Sequence, residues 1–344
     1  MLSSLAVRAL TALPPEEAHK ATISLLKTPF VPKASVTADP RLKTSVAGLD
    51  LPNPLGMAAG FDKNAEVPDA LLGLGFGFVE VGAVTPRPQP GNPSPRVFRL
   101  RSEQAIINRY GFNNDGLEAI TARLAARASR GGIVGINLGA NKDSEDRAAD
   151  YVTGLKALEP HTSFLTVNIS SPNTEGLRSL QGKAALDDLL QRVIAARATA
   201  KPVFVKVAPD LTDEDIADIS AACQGAGVDG LIVSNTTLSR EGLFSPQKDE
   251  KGGLSGAPLF EPSTRVLHAF AEELKGTLPL IGVGGVSNAE QALTKIKSGA
   301  SAVQLYTALV YQGPGLIGSL LSDLSARLEA EGFASVQDAV GADL

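Results

Sequence analysis

Cysteine is almost missing. The 344-residue chain carries one, Cys223, which excludes a disulfide framework and a metal site built on several thiolates. Histidine is scarce as well. His19, His161 and His268 are scattered along the chain, so no metal is expected. A surplus of positive charge is also lacking. The 32 Lys and Arg face 37 Asp and Glu, a net charge of −5, which argues against a grip on duplex nucleic acid through a basic face. No run of 18 apolar residues occurs, so no segment reads as a membrane-spanning helix. What remains, 43% hydrophobic and 20% charged residues, is the composition of a folded globular protein, and 34 Gly and 22 Pro imply many turns between short elements.

The first 30 residues differ from the rest. Two short helical patterns flank Pro14-Pro15. The first puts Leu2, Leu5, Ala6, Ala9 and Leu10 on one face. The second opens with Glu16 and Glu17, which suit the positive end of a helix dipole, and presents Ala18, Ile23, Leu25 and Leu26. The basic start and small-residue cleavage site of a signal peptide are missing. Two readings stand: a helical hairpin packed on the main domain, or one whose apolar face meets a lipid surface.

From residue 54 the chain alternates between β-branched runs and helical stretches. Strands are predicted at 54–59, 78–82, 133–139, 164–170, 202–208, 230–235, 278–283 and 302–306. Most are near-continuous apolar runs, as parallel strands buried on both faces require. Amphipathic helices are predicted at 115–129, 145–158, 183–198, 212–226, 262–275 and 288–297. Thr212 with Asp215 gives a cap signal for the fourth of these, and Cys223 within it reads as a small buried hydrophobe. Eight such units match an α/β fold of the (β/α)8 TIM barrel type with an N-terminal helical extension. A doubly wound sheet is the alternative, but the turn Gly56-Met57-Ala58-Ala59-Gly60 does not fit its G-x-G-x-x-G pattern.

Barrel active sites form at the C-terminal ends of the strands. Those ends read Lys63, Gly82, Asn137, Asn168 with Ser171, Lys206, Asn235, Gly284-Gly285 and Tyr306-Thr307. Amides and lysines gather where a ligand would lie. The runs GVGGV (282–286) and QLYT (304–307) suit a phosphate held by main-chain N–H groups, although the glycines could serve tight turns alone. Lys206, between Val205 and Val207, is costly to bury unpaired. An anionic ligand would satisfy it, and so would an ion pair with a distant carboxylate. Lys63 has the local alternative of pairing with Asp62. Asn168, Asn173 and Asn235 both donate and accept, which suits a planar heterocycle with alternating N–H and C=O. Ser171 lies in a loop Ser-Ser-Pro-Asn with no histidine near in sequence, which argues against acyl transfer.

The stretches GMAAGFDKN, VEVGAVTPRPQPGNPSPRVFRL, INRYGFNNDG, VNISSPNTEGLRSLQ, VKVAPD, SNTT, GGLSG, GVGGV and QLYTAL closely resemble dihydroorotate dehydrogenase, through nearly the whole chain. The N-terminal extension, and serine rather than cysteine at 171, resemble the quinone-dependent, membrane-associated class. The resemblance implies a barrel over 36–344 that holds FMN, and an extension over 1–35 that associates with the membrane and forms a quinone tunnel. It implies oxidation of (S)-dihydroorotate to orotate in pyrimidine synthesis, peripherally on the cytoplasmic side of the cell membrane.

By that resemblance Ala59, Gly60, Lys63, Ala83, Asn137, Asn168, Lys206, Ser234, Gly256, Gly285, Tyr306 and Thr307 would bind the cofactor, with Lys206 at the flavin N1/O2 edge and Tyr306 and Thr307 at its phosphate. Lys63, Asn108, Arg109, Tyr110, Gly111, Phe112, Asn168, Asn173, Asn235 and Thr236 would hold the substrate. Ser171 would be the catalytic base, relayed through Thr174 and a water near Phe112. His19, Arg99 and Tyr306 would line the quinone tunnel. Ala83 and Ser234 stand where relatives often carry threonine. Three rival readings remain: a soluble enzyme of the same family using fumarate or NAD, a flavin enzyme reducing uridines in tRNA, and a non-enzymatic membrane-surface scaffold. The net charge and the lone helical cysteine oppose the second. The asparagine set and Lys206 have no purpose in the third.

Overall fold

The computed structural model describes residues 9–29, 31, 39–174 and 176–344. A hairpin of β1 (Thr44–Val46) and β2 (Leu49–Leu51) precedes the main sheet. That sheet is a closed parallel barrel of β3 (Leu55–Met57), β4 (Phe78–Val84), β7 (Ile133–Leu138), β8 (Phe164–Asn168), β9 (Val203–Val207), β10 (Gly230–Val233), β12 (Leu280–Val283) and β13 (Ala300–Leu305), in chain order around the ring. Each lies within or across one of the eight predicted runs. The chain is a (β/α)8 barrel.

Helices cover the barrel's outer face. The six predicted ones are α3 (Leu117–Ala126), α4 (Arg147–Leu158), α5 (Lys183–Ala195), α6 (Asp213–Ala226), α7 (Phe260–Leu274) and α8 (Ala289–Lys297), with α2 (Pro68–Gly73) before them and α9 (Thr307–Gln312) and α10 (Gly315–Ala330) after. The start of α6 follows from its sequence: Thr212 accepts from the Asp215 N–H and Asp215 accepts from the Thr212 N–H, a full capping box. Cys223 is fully buried on this helix, and burial pushes its thiol up to about 12, which leaves it inert near neutrality.

The barrel interior is built in layers. Phe78, Phe164, Phe204, Ile232, Ile281 and Ala302 form an apolar layer, covered by Val46 and Leu51 of the hairpin. The large rings fit because glycine faces them: a Cβ on Gly56 would lie 2.3 Å from Phe78, and one on Gly135 would lie 2.1 Å from Phe164. Side chains repeat every second residue along a strand. The next inward positions on β4, β8, β9 and β13 are therefore Glu80, Thr166, Lys206 and Gln304, all buried. Polar groups thus floor the barrel mouth above an apolar plug.

A second sheet was not legible in the sequence. β5 (Val97–Leu100), β6 (Ala105–Asn108) and β11 (Gly253–Gly256) pair antiparallel, inserted after β4 and β10. At the N-terminus residues 9–12 are helical and α1 spans Pro15–Leu26, breaking at the predicted Pro14-Pro15. Leu2, Leu5 and Ala6, and the boundary at residue 35, lie outside the described residues. The extension is tied to the barrel. Arg96 pairs with Glu16 at 2.6 Å, through a carboxyl held below the usual range by that hydrogen bond, and Lys27 pairs with Glu66. Packing on the main domain is therefore real, yet Leu13 and Leu25 stay 42% and 50% exposed.

Candidate active site

The strand ends, the small sheet and α1 enclose a cavity of about 640 Å³, a volume that suits a small-molecule or cofactor site. Among the residues singled out in the sequence, Ser171, Ala59, Gly60, Lys63, Ala83, Asn137, Asn168, Lys206, Ser234, Gly256, Gly285, Tyr306 and Thr307 line it. So do Asn108, Tyr110, Gly111, Phe112, Asn173, Asn235, Thr236, His19 and Arg99. Arg109 is not brought in. Its guanidinium turns to Glu250 at 2.7 Å and lies over the Phe98 ring at 4.6 Å.

Lys206, next to last in β9, is 5% exposed. Among the described residues its ammonium makes no hydrogen bond or ion pair. Burial lowers its pKa, and Glu80 is the group that opposes this. An acid, Glu80, stands in the same buried layer, short of ion-pair contact. The local pairing of Lys63 with Asp62 does not form. Asp62 instead accepts the Glu66 and Val67 N–H groups, each at 2.8 Å. Lys63 donates to Gly60 O at 2.7 Å and lies 4.0 Å from the Tyr110 ring. Burial takes its pKa down to about 8.

The amides form one connected set. Asn137 donates to Glu80 at 2.7 Å, Asn168 to Asn137 at 2.8 Å, and Asn235 to Asn168 at 3.3 Å. The buried Tyr151 hydroxyl donates to Asn168 O at 2.5 Å, which pins that residue's backbone. Asn173 donates to Asn108 at 3.3 Å, which joins the loop after β8 to β6. Ser171 stands on that loop, 7% exposed, its Oγ accepting the Asn173 N–H at 3.3 Å. Thr174 Oγ1 nearby is buried without a hydrogen-bond partner among the described residues.

The glycine pair after β12 has a reason of its own. Gly284 and Gly285 both have positive φ, and a Cβ on Gly285 would fall 2.5 Å from the Phe260 backbone. The turn alone demands glycine here, so a phosphate reading must rest on the cavity these residues line. Thr307 closes that side, its Oγ1 donating to Ser255 Oγ at 2.8 Å.

The end of the cavity under α1 is apolar, with Leu10, Pro15, Ala18, Thr22 and Leu26 in its wall. His19 donates through Nε2 to Phe61 O at 2.7 Å, and burial drops its pKa to about 3, so it is neutral at working pH. Its ring meets Phe61 edge-on at 5.5 Å, and Phe61 meets Tyr306 at 5.4 Å. Phe61 was missed in the sequence, as was Glu80. Arg99 donates to Thr11 O and Leu13 O at 3.1 and 2.7 Å, while its buried Nε has no partner among the described residues.

A family model for dihydroorotate dehydrogenase matches residues 41–328. A protein of Allorhizobium ampelinum named dihydroorotate dehydrogenase (quinone) is 59% identical over 329 residues, covering 93% of this chain and 91% of its own. One of the same name from Brucella ovis is 56% identical over 346 residues, covering 98% and 95%. Among solved structures, Eimeria tenella DHODH in complex with ferulenol matches with a TM-score of 0.94 at 38% identity, over 97% of this chain and 98% of that one.

Proposed function

The chain belongs to the dihydroorotate dehydrogenase family, and on that premise we propose that it oxidises (S)-dihydroorotate to orotate, with FMN in the cavity and a membrane quinone as electron acceptor, in de novo pyrimidine (UMP) biosynthesis. The observation that carries this reading is the Lys206 ammonium, without a bonded partner among the described residues and buried at the floor of a cavity of cofactor size. A buried cation without a bonded partner is expensive, and a ligand that gains negative charge as it is reduced meets that need.

The residues fit FMN. Lys206 would hold the pyrimidine edge of its ring, Asn137 and Asn168 its polar atoms, and the Gly284–Gly285 turn with Thr307 its phosphate. When bound, FMN supplies the hydride acceptor and the path of electrons to quinone. Ser171 takes the proton from C5 of the substrate. Serine is a weak base, and the Thr174 hydroxyl, without a hydrogen-bond partner among the described residues, supports the expected relay. Lys63 and the asparagines orient the substrate ring and its carboxylate, so that geometry is settled before the reaction begins. Lys206 places positive charge where negative charge develops, an interaction stronger in the transition state than in the ground state.

The apolar end of the cavity supports a separate route for quinone along His19, Arg99 and Tyr306. We assign 1–35 to this route and to peripheral contact with the cytoplasmic side of the cell membrane, and 36–344 to the FMN barrel. No helix among the described residues is long and apolar enough to cross a membrane. The test is to release the cofactor by denaturation, identify it by chromatography, and compare acceptors. FMN with activity toward quinone is expected. Activity with fumarate or NAD instead would assign the soluble class, and a colourless protein inert toward dihydroorotate would remove the proposal.

Arg99→Ala should raise the quinone KM while leaving flavin reduction by dihydroorotate largely intact. Arg99 lines the cavity, its Nε has no partner among the described residues, and the same guanidinium holds two carbonyls of the N-terminal segment. A change confined to dihydroorotate affinity would assign Arg99 elsewhere. Removing residues 1–30 should leave a yellow protein still bleached by dihydroorotate, reoxidised poorly by long-chain quinones and well by small dyes. Liposome co-sedimentation should fall, since buried apolar area drives such binding. Unchanged quinone reoxidation and liposome binding together would leave the extension as packing alone.

A further inference from the structure

We infer that Glu80 is a positioning residue for the cofactor floor: its carboxylate fixes the sense of the Asn137 amide, at the head of the chain Asn137–Asn168–Asn235, and supplies the countercharge to Lys206. The inference rests on the FMN reading above. Glu80 lies on β4, fully buried, and is not part of the cavity wall, so it acts only through its neighbours.

A carboxylate accepts hydrogen bonds and cannot donate. Asn137 Nδ2 donates to one Glu80 oxygen at 2.7 Å and Gln304 Nε2 to the other at 2.8 Å, so both amides must turn their NH₂ groups toward it. That leaves Asn137 Oδ1 to accept from Asn168 Nδ2 at 2.8 Å, and Asn168 Oδ1 to accept from Asn235 Nδ2 at 3.3 Å. The chain thereby runs in one sense from the barrel floor to the substrate side. Asn137 and Asn168 each keep a second N–H, and both line the cavity. On this inference those N–H groups serve the carbonyl and ring-nitrogen acceptors of a flavin. A neutral amide at position 80 could donate or accept, so Asn137 would lose its fixed sense, while Asn168 and Asn235 stay held by the Ser170 and Thr236 N–H groups.

Stability does not explain this layer. The layer beneath it is entirely apolar, and buried charges are often replaceable by apolar groups at no loss. The polar layer even leaves Thr166 Oγ1 and Gln304 Oε1 without partners among the described residues. Glu80 and Lys206 are its two charges, opposite in sign and both without an ion pair within contact distance among the described residues.

The variants are Glu80→Gln, Glu80→Asp, Lys206→Met and the Glu80→Gln/Lys206→Met double, all in the full chain. The readouts are the melting temperature of the apo-protein, the FMN dissociation constant and the visible spectrum of bound flavin. Glu80→Gln should fold, bind FMN about tenfold or more weakly, as loss of hydrogen bonds to a charged group implies, and displace the flavin absorption band. Glu80→Asp should recover part of the affinity. Lys206→Met should cost less affinity in the Glu80→Gln background than in the wild type, because the two charges act as a unit. Wild-type affinity and spectrum in Glu80→Gln, or independent effects of the two substitutions, would overturn the inference. If Glu80→Gln fails to fold, the double variant decides. Recovery of folding supports the charge balance, and failure assigns the carboxylate to architecture alone. A wild-type protein without FMN would instead refute the cofactor reading.

Discussion

Ser171→Ala should bind dihydroorotate and FMN and yet reduce the flavin about 10²–10⁴-fold more slowly, the usual worth of a positioned base. Among the described residues, Ser171 has no histidine in hydrogen-bond contact, and its Oγ accepts only the Asn173 N–H. The substitution removes one oxygen from a nearly closed loop, so binding by Lys63 and the asparagines should persist. Rapid anaerobic mixing with dihydroorotate separates the two effects: the dissociation constant should hold while the reduction rate falls. Ser171→Cys should keep partial activity with a shifted pH profile, because a thiol ionises more readily than a hydroxyl. Near-normal reduction by the alanine variant at every pH would remove Ser171 as the base.

Lys206→Met should weaken FMN retention and slow flavin reduction in the fraction that stays loaded. Methionine fills much of the same space between Val205 and Val207, so apo folding is the lesser effect. On the proposed function the loss is of a cation at a site where negative charge would develop. It also leaves the Glu80 carboxylate without its countercharge, although Asn137 and Gln304 still donate to it. Flavin content after gel filtration and the reduction rate of the loaded fraction are the measurements. A variant that holds FMN and is reduced normally would make the lysine structural.

The barrel was legible because strands buried on both faces read as apolar runs, in which a lone Lys206 or Asn137 stands out. The small sheet was not: Val97–Leu100 is short and carries Arg99, and Gly253–Gly256 holds two glycines in four residues. These strands are specified by pairing with β6, a tertiary contact no local pattern announces. Glu80 stands inside β4, short of the predicted strand end at Gly82, so no strand-end pattern points to it. Its signal was the two-residue period that aligns it inward with Phe78. Arg109 lies just past the end of β6, where no strand alternation sets its direction, and its guanidinium is held by Glu250. Asp62 and Lys63 are adjacent yet unpaired, since the Asp62 carboxylate already accepts two N–H groups of the following turn.

The most direct test of the account is an anaerobic titration of the full-length, as-purified protein, followed in the visible spectrum. Dihydroorotate should bleach the bound flavin completely near one equivalent, and orotate should appear in equal amount. A long-chain quinone added next should restore the oxidised spectrum, while fumarate and NAD should not. A protein that carries flavin but is not bleached by dihydroorotate would contradict the central claim.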